Sequence, residues 1–314
     1  MRYGIPYKGS KNSIAEWVYS HFPKAANFYD LFAGGCAITQ VALMKSEYSN
    51  YFCNDIDGDG IRLFLDAIHG KFQNEKRWIS REDFFRLKDK EPYVRYCWSF
   101  GNNGRDYLYS KEIEPYKKAW HYAVYFNDFS LAEKLNVDLQ QLKDINDIRE
   151  KYISSKKIIK NCVKRQSDGH RNSIAELRQM ESLNRLQSLQ SLNRLQSLQS
   201  LQLSNRDYED VKIYKDSVVF CDIPYSDTNA YGSKNINTFD YERFYDWCKR
   251  QQEFVFICEY KMPSDFICID SMKKTVLMDS GGNKKAYEKI FIPKHQEEMY
   301  KEWKLKEGGF LFYE

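Results

Sequence analysis

Apolar and polar positions follow one another in short blocks along this chain, and the strongest blocks are β-branched or aromatic. Ser217–Cys221 (SVVFC) is an unbroken apolar run between Asp216 and Asp222. A run with no alternating polar face predicts a strand covered on both sides. Phe28–Phe32 and Tyr51–Cys53 carry the same signature early in the chain, and Phe254–Cys258 repeats it later. Shorter strands are expected around 275–277 and 289–292. Between the strands the period changes. Ile14, Trp17, Val18 and His21 or Phe22 recur at helical spacing until Pro23, a second helix begins near Thr39–Met44, and Asp240 caps a third through Phe244, Tyr245 and Cys248. Strands alternating with helices predict an α/β sheet.

The middle of the chain has a different texture. Tyr96–Phe100 and Arg105–Tyr109 flank Gly101-Asn102-Asn103-Gly104, aromatics alternate on both arms, and the pattern predicts a β-hairpin with Arg105 beside its tip. Lys151 to Arg171 then holds seven Lys/Arg against the single acid Asp168. Such a cluster either neutralises phosphates or forms a solvated helix face. From Leu183 to Leu201 leucine recurs at every third residue. On an α-helix that step turns 300°, so the leucines drift around the cylinder and form no single stripe. The repeat therefore predicts no chemistry.

Bulk composition narrows the class. With 314 residues the chain can bury one large core, or a core and a second domain. A net charge of +4 permits a nucleic-acid partner without demanding one. The 24 Tyr, 20 Phe and 6 Trp supply many stacking faces, most of them for the core. Eight cysteines lie scattered without metal-ligand spacing, so they read as buried, reduced thiols. No signal peptide and no membrane-length apolar run is visible, and a soluble cytoplasmic protein is expected.

Candidate chemistry gathers at strand ends. Asp222-Ile223-Pro224-Tyr225 follows the apolar run, at the carboxyl end where open α/β sheets bind ligands. A carboxylate acceptor, a carbonyl ahead of a proline and an aromatic face are the parts needed to hold an exocyclic amine on a planar base. Ala33-Gly34-Gly35-Cys36-Ala37 after the first strand is a tight turn that lets a ligand approach the backbone. Asp55 stands twenty residues beyond Gly35, placed to take ribose hydroxyls. The Gly9-Ser10-Lys11 triplet is no phosphate loop, because the first glycine of that motif and its preceding strand are missing. Asp55–Gly60 with Asp66 imitates a calcium loop. It ends on Asp instead of a bidentate Glu, carries Arg62 at an apolar place and follows a strand, so no metal is expected.

PYKGSK near the start, YDLFAGG, NDID and CDIPY, in that order and with a long segment before the last, resemble the Dam-type (D12 class) DNA N6-adenine methyltransferases of bacteria and phages. The resemblance implies a Rossmann-like S-adenosylmethionine-dependent methyltransferase sheet with an inserted, mainly helical target-recognition domain containing the β-hairpin. The two catalytic segments would be 1–65 and 205–314, and the insert 66–204, with the leucine repeat at 183–201. It implies S-adenosylmethionine as cofactor, held by Tyr7, Lys11, Phe32, Gly34, Gly35, Asp55 and Asp222. It implies Asp222, Ile223, Pro224 and Tyr225 as the catalytic motif acting on a flipped-out adenine. Double-stranded DNA would be the partner, met by Asn103, Arg105, Lys156, Lys157, Lys164 and Arg165, with a cognate restriction nuclease as a further partner. Ile223 departs from the family, where proline is usual. That departure leaves a catalytically impaired DNA-binding protein as one alternative, and the same active site working on RNA, as an N6/amine methyltransferase, is a second.

Overall fold

The computed structural model describes residues 3–155, 181–195, 200–225, 239–277 and 283–307, with the backbone alone for 181–183, 274–277 and 283–286. The chain divides into two compact units. The first comprises residues 1–4, 9–64 and 195–314, and the second 5–8 and 65–194.

The first unit is built on a seven-stranded sheet in the order β3-β2-β1-β4-β5-β7-β6. Its strands are β1 (Asn27–Asp30), β2 (Asn50–Asn54), β3 (Leu201–Ser204), β4 (Ser217–Cys221), β5 (Phe254–Glu259), β6 (Phe266–Leu277) and β7 (Asn283–Pro293). The first five run parallel, β7 runs antiparallel to β5, and β6 pairs with β7. The unbroken apolar run of β4 is explained by cover on both faces. Val219 and Cys221 join Tyr29, Leu31, Phe244, Val255 and Ile257 in one core cluster. Phe220 turns the other way and meets Phe22, which also contacts Phe28 and Phe256. The helices of this unit are α1 (Ala15–Tyr19), α2 (Ala37–Lys45), α3 (Gly58–Ile68), α4 (Tyr241–Arg250) and α5 (Glu297–Lys306). The unit boundary after Phe64 falls inside α3. Asp240 caps α4 as its sequence predicts, its side chain accepting from the Arg243 N–H at 3.0 Å. Because α3 begins at Gly58, the stretch resembling a calcium loop winds into helix instead.

Register fixes which ends coincide. Asp30 pairs with Cys53 on one side and Phe220 on the other. The segments after β1, β2 and β4 therefore leave the sheet along one edge. The order reverses direction between β1 and β4, the switch point where ligands of such sheets bind.

In the second unit, helices Arg81–Leu87, Pro92–Cys97, Glu114–Phe126, Ser130–Lys134 and Glu181–Ser191 dominate. The expected hairpin is corrected here. Pro92 opens a helix whose last residue is Cys97, which takes Tyr96 and Cys97 out of the first arm. What remains is one antiparallel bridge, Ser99 with Tyr107, tied by Leu108 N–H to Trp98 O at 2.9 Å and Phe100 N–H to Asp106 O at 2.8 Å. Residues 201–204, expected inside the insert, form sheet strand β3. The leucine repeat also resolves. Leu186, Leu189, Leu192 and Leu195 are all buried, and the α-helix changes to 3₁₀ geometry over Leu192–Leu195. A three-residue period keeps one face in a 3₁₀-helix, so the change of winding arrests the drift. Six described cysteines are buried thiols, but Cys268 is exposed, beside the bulge in β6.

Candidate active site

The turn after β1 is shaped by its own sequence. Gly34 has φ 46° and Cys36, which caps α2, has φ 56°. The Gly34 N–H donates to Asp55 Oδ2 at 2.7 Å, and the Asp57 N–H donates to Asp55 Oδ1 at 2.8 Å. Asp55 thus locks the glycine turn to the end of β2. Burial pushes its carboxyl up to about 6 against the pull of those two bonds. Asp30, the last residue of β1, is fully buried. Its Oδ2 accepts from the Thr39 hydroxyl at 2.7 Å and the Thr39 N–H at 3.2 Å. Its Oδ1 is buried and accepts nothing from the described residues. Burial raises this carboxyl to about 7, with the Thr39 hydroxyl opposing and the Asp222 charge adding to the rise. Beneath the turn, Gly4 at φ 72° donates its N–H to Gln40 Oε1 at 2.5 Å. A Cβ there would collide with the Gly35 carbonyl oxygen, so the N-terminal segment lies directly against the turn.

Across the same edge, β4 delivers Asp222. The Lys11 ammonium is 2.7 Å from Asp222 Oδ1, 3.9 Å from Glu288 Oε2 and 4.5 Å from the centre of the Tyr225 ring. Burial alone would lower the lysine pKa. The facing Asp222 and Glu288 carboxylates outweigh it and the value rises, so Lys11 stays cationic. The Tyr225 hydroxyl donates to Glu288 Oε2 at 2.6 Å, and its ring meets Tyr260 edge-on at 4.4 Å. Burial first, then the Asp222 and Glu288 charges, drive the phenol pKa far up, so it remains a donor. Ile223 is 2% exposed and packs in the core cluster with Val219, Phe244 and Ile257. The Pro224 carbonyl accepts from the Tyr241 hydroxyl at 2.9 Å. The Ile223 carbonyl, one residue earlier, accepts no hydrogen bond from the described residues.

Lys11, Phe32, Gly34, Gly35, Asp55 and the Asp222–Tyr225 segment therefore lie in the sheet-bearing unit, whereas Tyr7 is described with the other unit, its ring 5.1 Å from Tyr96. Phe32 packs against Tyr208, Phe239 and Phe244. Asn103 is committed to its own turn: Oδ1 accepts from the Arg105 and Asp106 N–H groups and Nδ2 donates to Asp106. Arg105 is exposed beside it. Lys156, Lys157, Lys164 and Arg165 lie outside the described residues. Lys151, in the same basic stretch, is buried and donates to Asn127 Oδ1 at 2.6 Å.

Sequence reasoning missed Gly4, Asp30 and Glu288. Asp30 stood inside a quoted motif without a role. Glu288 left one faint signal, since it shares the inward phase of β7 with Ile290 and Ile292, where an acid is out of pattern. Compared one by one with curated proteins, the chain matches none. Compared with families, residues 7–250 match D12 class N6 adenine-specific DNA methyltransferase, a span that runs from the segment before Lys11 through the glycine turn, Asp55 and the Asp222 motif to the end of α4. With more than half its length so matched, and these motifs on one edge of the expected sheet, the chain belongs to the D12 class N6 adenine-specific DNA methyltransferases.

Proposed function

We propose that Asp222, the Ile223 carbonyl and Tyr225 are the groups with which this enzyme holds adenine for methylation of N6 in double-stranded DNA. The family's reaction takes a methyl group from S-adenosylmethionine, which when bound supplies that group already activated on a sulfonium. The residues on the edge of the sheet fit such a cofactor. The unpartnered, buried Asp30 Oδ1 matches an ammonium donor, the half-buried Asp55 carboxylate matches vicinal hydroxyls, and the Gly34 backbone allows close approach.

Duplex DNA hides the adenine amine, so the base must be extruded at a cost of a few kcal/mol. Tyr225 offers a stacking face, a contact worth about 1–3 kcal/mol per base. The Asp222 carboxylate and the Ile223 carbonyl each accept one N6 hydrogen. Those bonds draw the nitrogen lone pair out of conjugation and aim it, so alignment supplies most of the acceleration. Asp222 is the nearest group to receive the proton that nitrogen loses. Lys11 keeps Asp222 paired, and the protonated Tyr225 cannot compete as a base.

The observation that carries this reading is the Lys11–Asp222 pair beside the Tyr225 ring, on the edge that also bears the glycine turn and Asp55. Ile223 speaks against an impaired enzyme, because its buried side chain fixes by packing what a proline ring fixes by geometry. In the second unit, Phe100 is 60% exposed on the turn that carries Arg105, an aromatic and a cation suited to DNA. Incubation with methyl-labelled S-adenosylmethionine and plasmid DNA, followed by mapping of modified adenines, tests the proposal. Asp222→Ala should abolish transfer while the circular dichroism spectrum is unchanged; undiminished transfer would remove Asp222 from the site. Equal labelling of RNA would favour the RNA reading. Protection of the mapped site against endonucleases would identify the kind of nuclease the modification opposes.

A further inference from the structure

Glu288 lies outside the residues matched to the family, on a strand that joins the sheet antiparallel. Its neighbour Lys289 pairs with Glu259, the last residue of β5, so Glu288 stands one residue past the end of that strand. That position is on the edge from which Asp222 leaves the sheet. Glu288 is 2% exposed, and a buried carboxylate is costly unless paired and hydrogen-bonded. Here one oxygen serves two groups: Oε2 takes the Tyr225 hydroxyl at 2.6 Å and faces the Lys11 ammonium at 3.9 Å. Lys11 in turn holds Asp222 at 2.7 Å and sits 4.5 Å from the Tyr225 ring centre. Lys11, Tyr225 and Glu288 thus contact one another in a closed triangle, and Asp222 joins it through Lys11.

We infer that Glu288 is a positioning residue for methyl transfer, fixing the Tyr225 ring through its hydroxyl and the Asp222 carboxylate through Lys11. This inference rests on the function proposed above. The physical reason is the fixed point that the hydroxyl bond at 2.6 Å adds at the far end of the Tyr225 ring, beyond the edge-on contact with Tyr260 and the Lys11 ammonium over its face. A ring that must stack on an extruded base gains from being held before the base arrives, because ordering costs are then met on folding.

The test uses the full-length protein, plasmid DNA and labelled S-adenosylmethionine. Glu288→Ala should lower kcat at least tenfold, leave KM for S-adenosylmethionine within twofold, and keep the wild-type circular dichroism spectrum. Glu288→Gln retains an acceptor for the Tyr225 hydroxyl and should recover most of that loss, which a general weakening of the fold would not do. It also serves if the alanine variant does not fold. Tyr225→Phe keeps the ring and loses the bond, so adding Glu288→Ala to it should cost clearly less than Glu288→Ala costs alone, the remainder being the share carried through Lys11. Wild-type kcat in Glu288→Ala, or full multiplication of the two losses in the double variant, would overturn the inference while leaving the functional reading intact. A wild-type protein that transfers no methyl group would overturn both.

Discussion

Ile223 shows how one side chain can replace another by a different mechanism. Proline would fix φ covalently, whereas isoleucine buries its side chain in the core and relies on Pro224 to keep its own backbone extended. If the Ile223 carbonyl aims the amine as proposed, stability and catalysis are coupled at this position. Ile223→Ala should cost about 2–5 kcal/mol of stability and reduce transfer with it. Denaturant melts and initial rates on the same preparation check this, and a stability loss with full activity would mean that the carbonyl is aimed by Pro224 alone. Asp30 makes a second prediction. Its carboxyl is raised from 3.8 to about 7 by burial, so between those values the native protein binds more protons than the unfolded chain. Stability is then greatest at the acid end of this window and falls as pH rises toward 7. Cofactor affinity should move the other way, since an ammonium favours the ionised carboxylate. Asp30→Asn should reduce both slopes, read by thermal melts at pH 5 and 8 and by calorimetric titration with S-adenosylmethionine at pH 6 and 8. Unchanged slopes would take Asp30 out of the account.

At the scale of elements, the site depends on how closely segments approach one another. Gly4 seats the N-terminal segment on the glycine turn, at a φ of 72° and with no room for a Cβ. Gly4→Ala should cost about 1–2 kcal/mol in backbone strain alone. The collision with the Gly35 carbonyl should also displace the turn, weakening S-adenosylmethionine binding at least tenfold. Isothermal titration checks this, and wild-type affinity would show that the turn holds without its support. β1, β2, β4 and β5, the glycine turn and the Asp240 cap are all legible in the sequence, because short-range patterns create them. The elements that escaped depend on distant partners. β3 is a strand only because Tyr51–Asn54 offers an edge to Leu201–Ser204. The first arm of the expected hairpin obeys Pro92 instead of its own aromatic alternation. The site divides in the same way. The strand end carrying Asp222 is visible locally, but its contacts with Lys11 and Glu288 join segments far apart in sequence.

For the whole molecule, the groups proposed for chemistry and those proposed for DNA contact belong to different stretches of chain. The sheet-bearing unit holds the Asp222 edge, while the second unit holds the turn with Phe100 and Arg105. A net charge of +4 on 314 residues is too small for a general electrostatic attraction to set affinity. Local cations and stacking faces must do so. These two contributions respond differently to salt, because only the neutralisation of phosphates releases counterions. If Arg105 contacts a phosphate, Arg105→Ala should weaken DNA binding and reduce the slope of log K against log salt by about 1. If Phe100 stacks on bases, Phe100→Ala should weaken binding by about 1–3 kcal/mol with the slope unchanged. Both variants should bind S-adenosylmethionine as the wild type does, since neither residue is among those assigned to the cofactor. Fluorescence anisotropy with labelled duplex DNA at several salt concentrations separates the terms. A phenylalanine variant that lost slope, or an arginine variant that kept it, would reverse the roles assigned to the two side chains. Unaltered affinity in both would move the DNA contact away from this turn, which leaves the basic stretch between Lys151 and Arg171 to carry it.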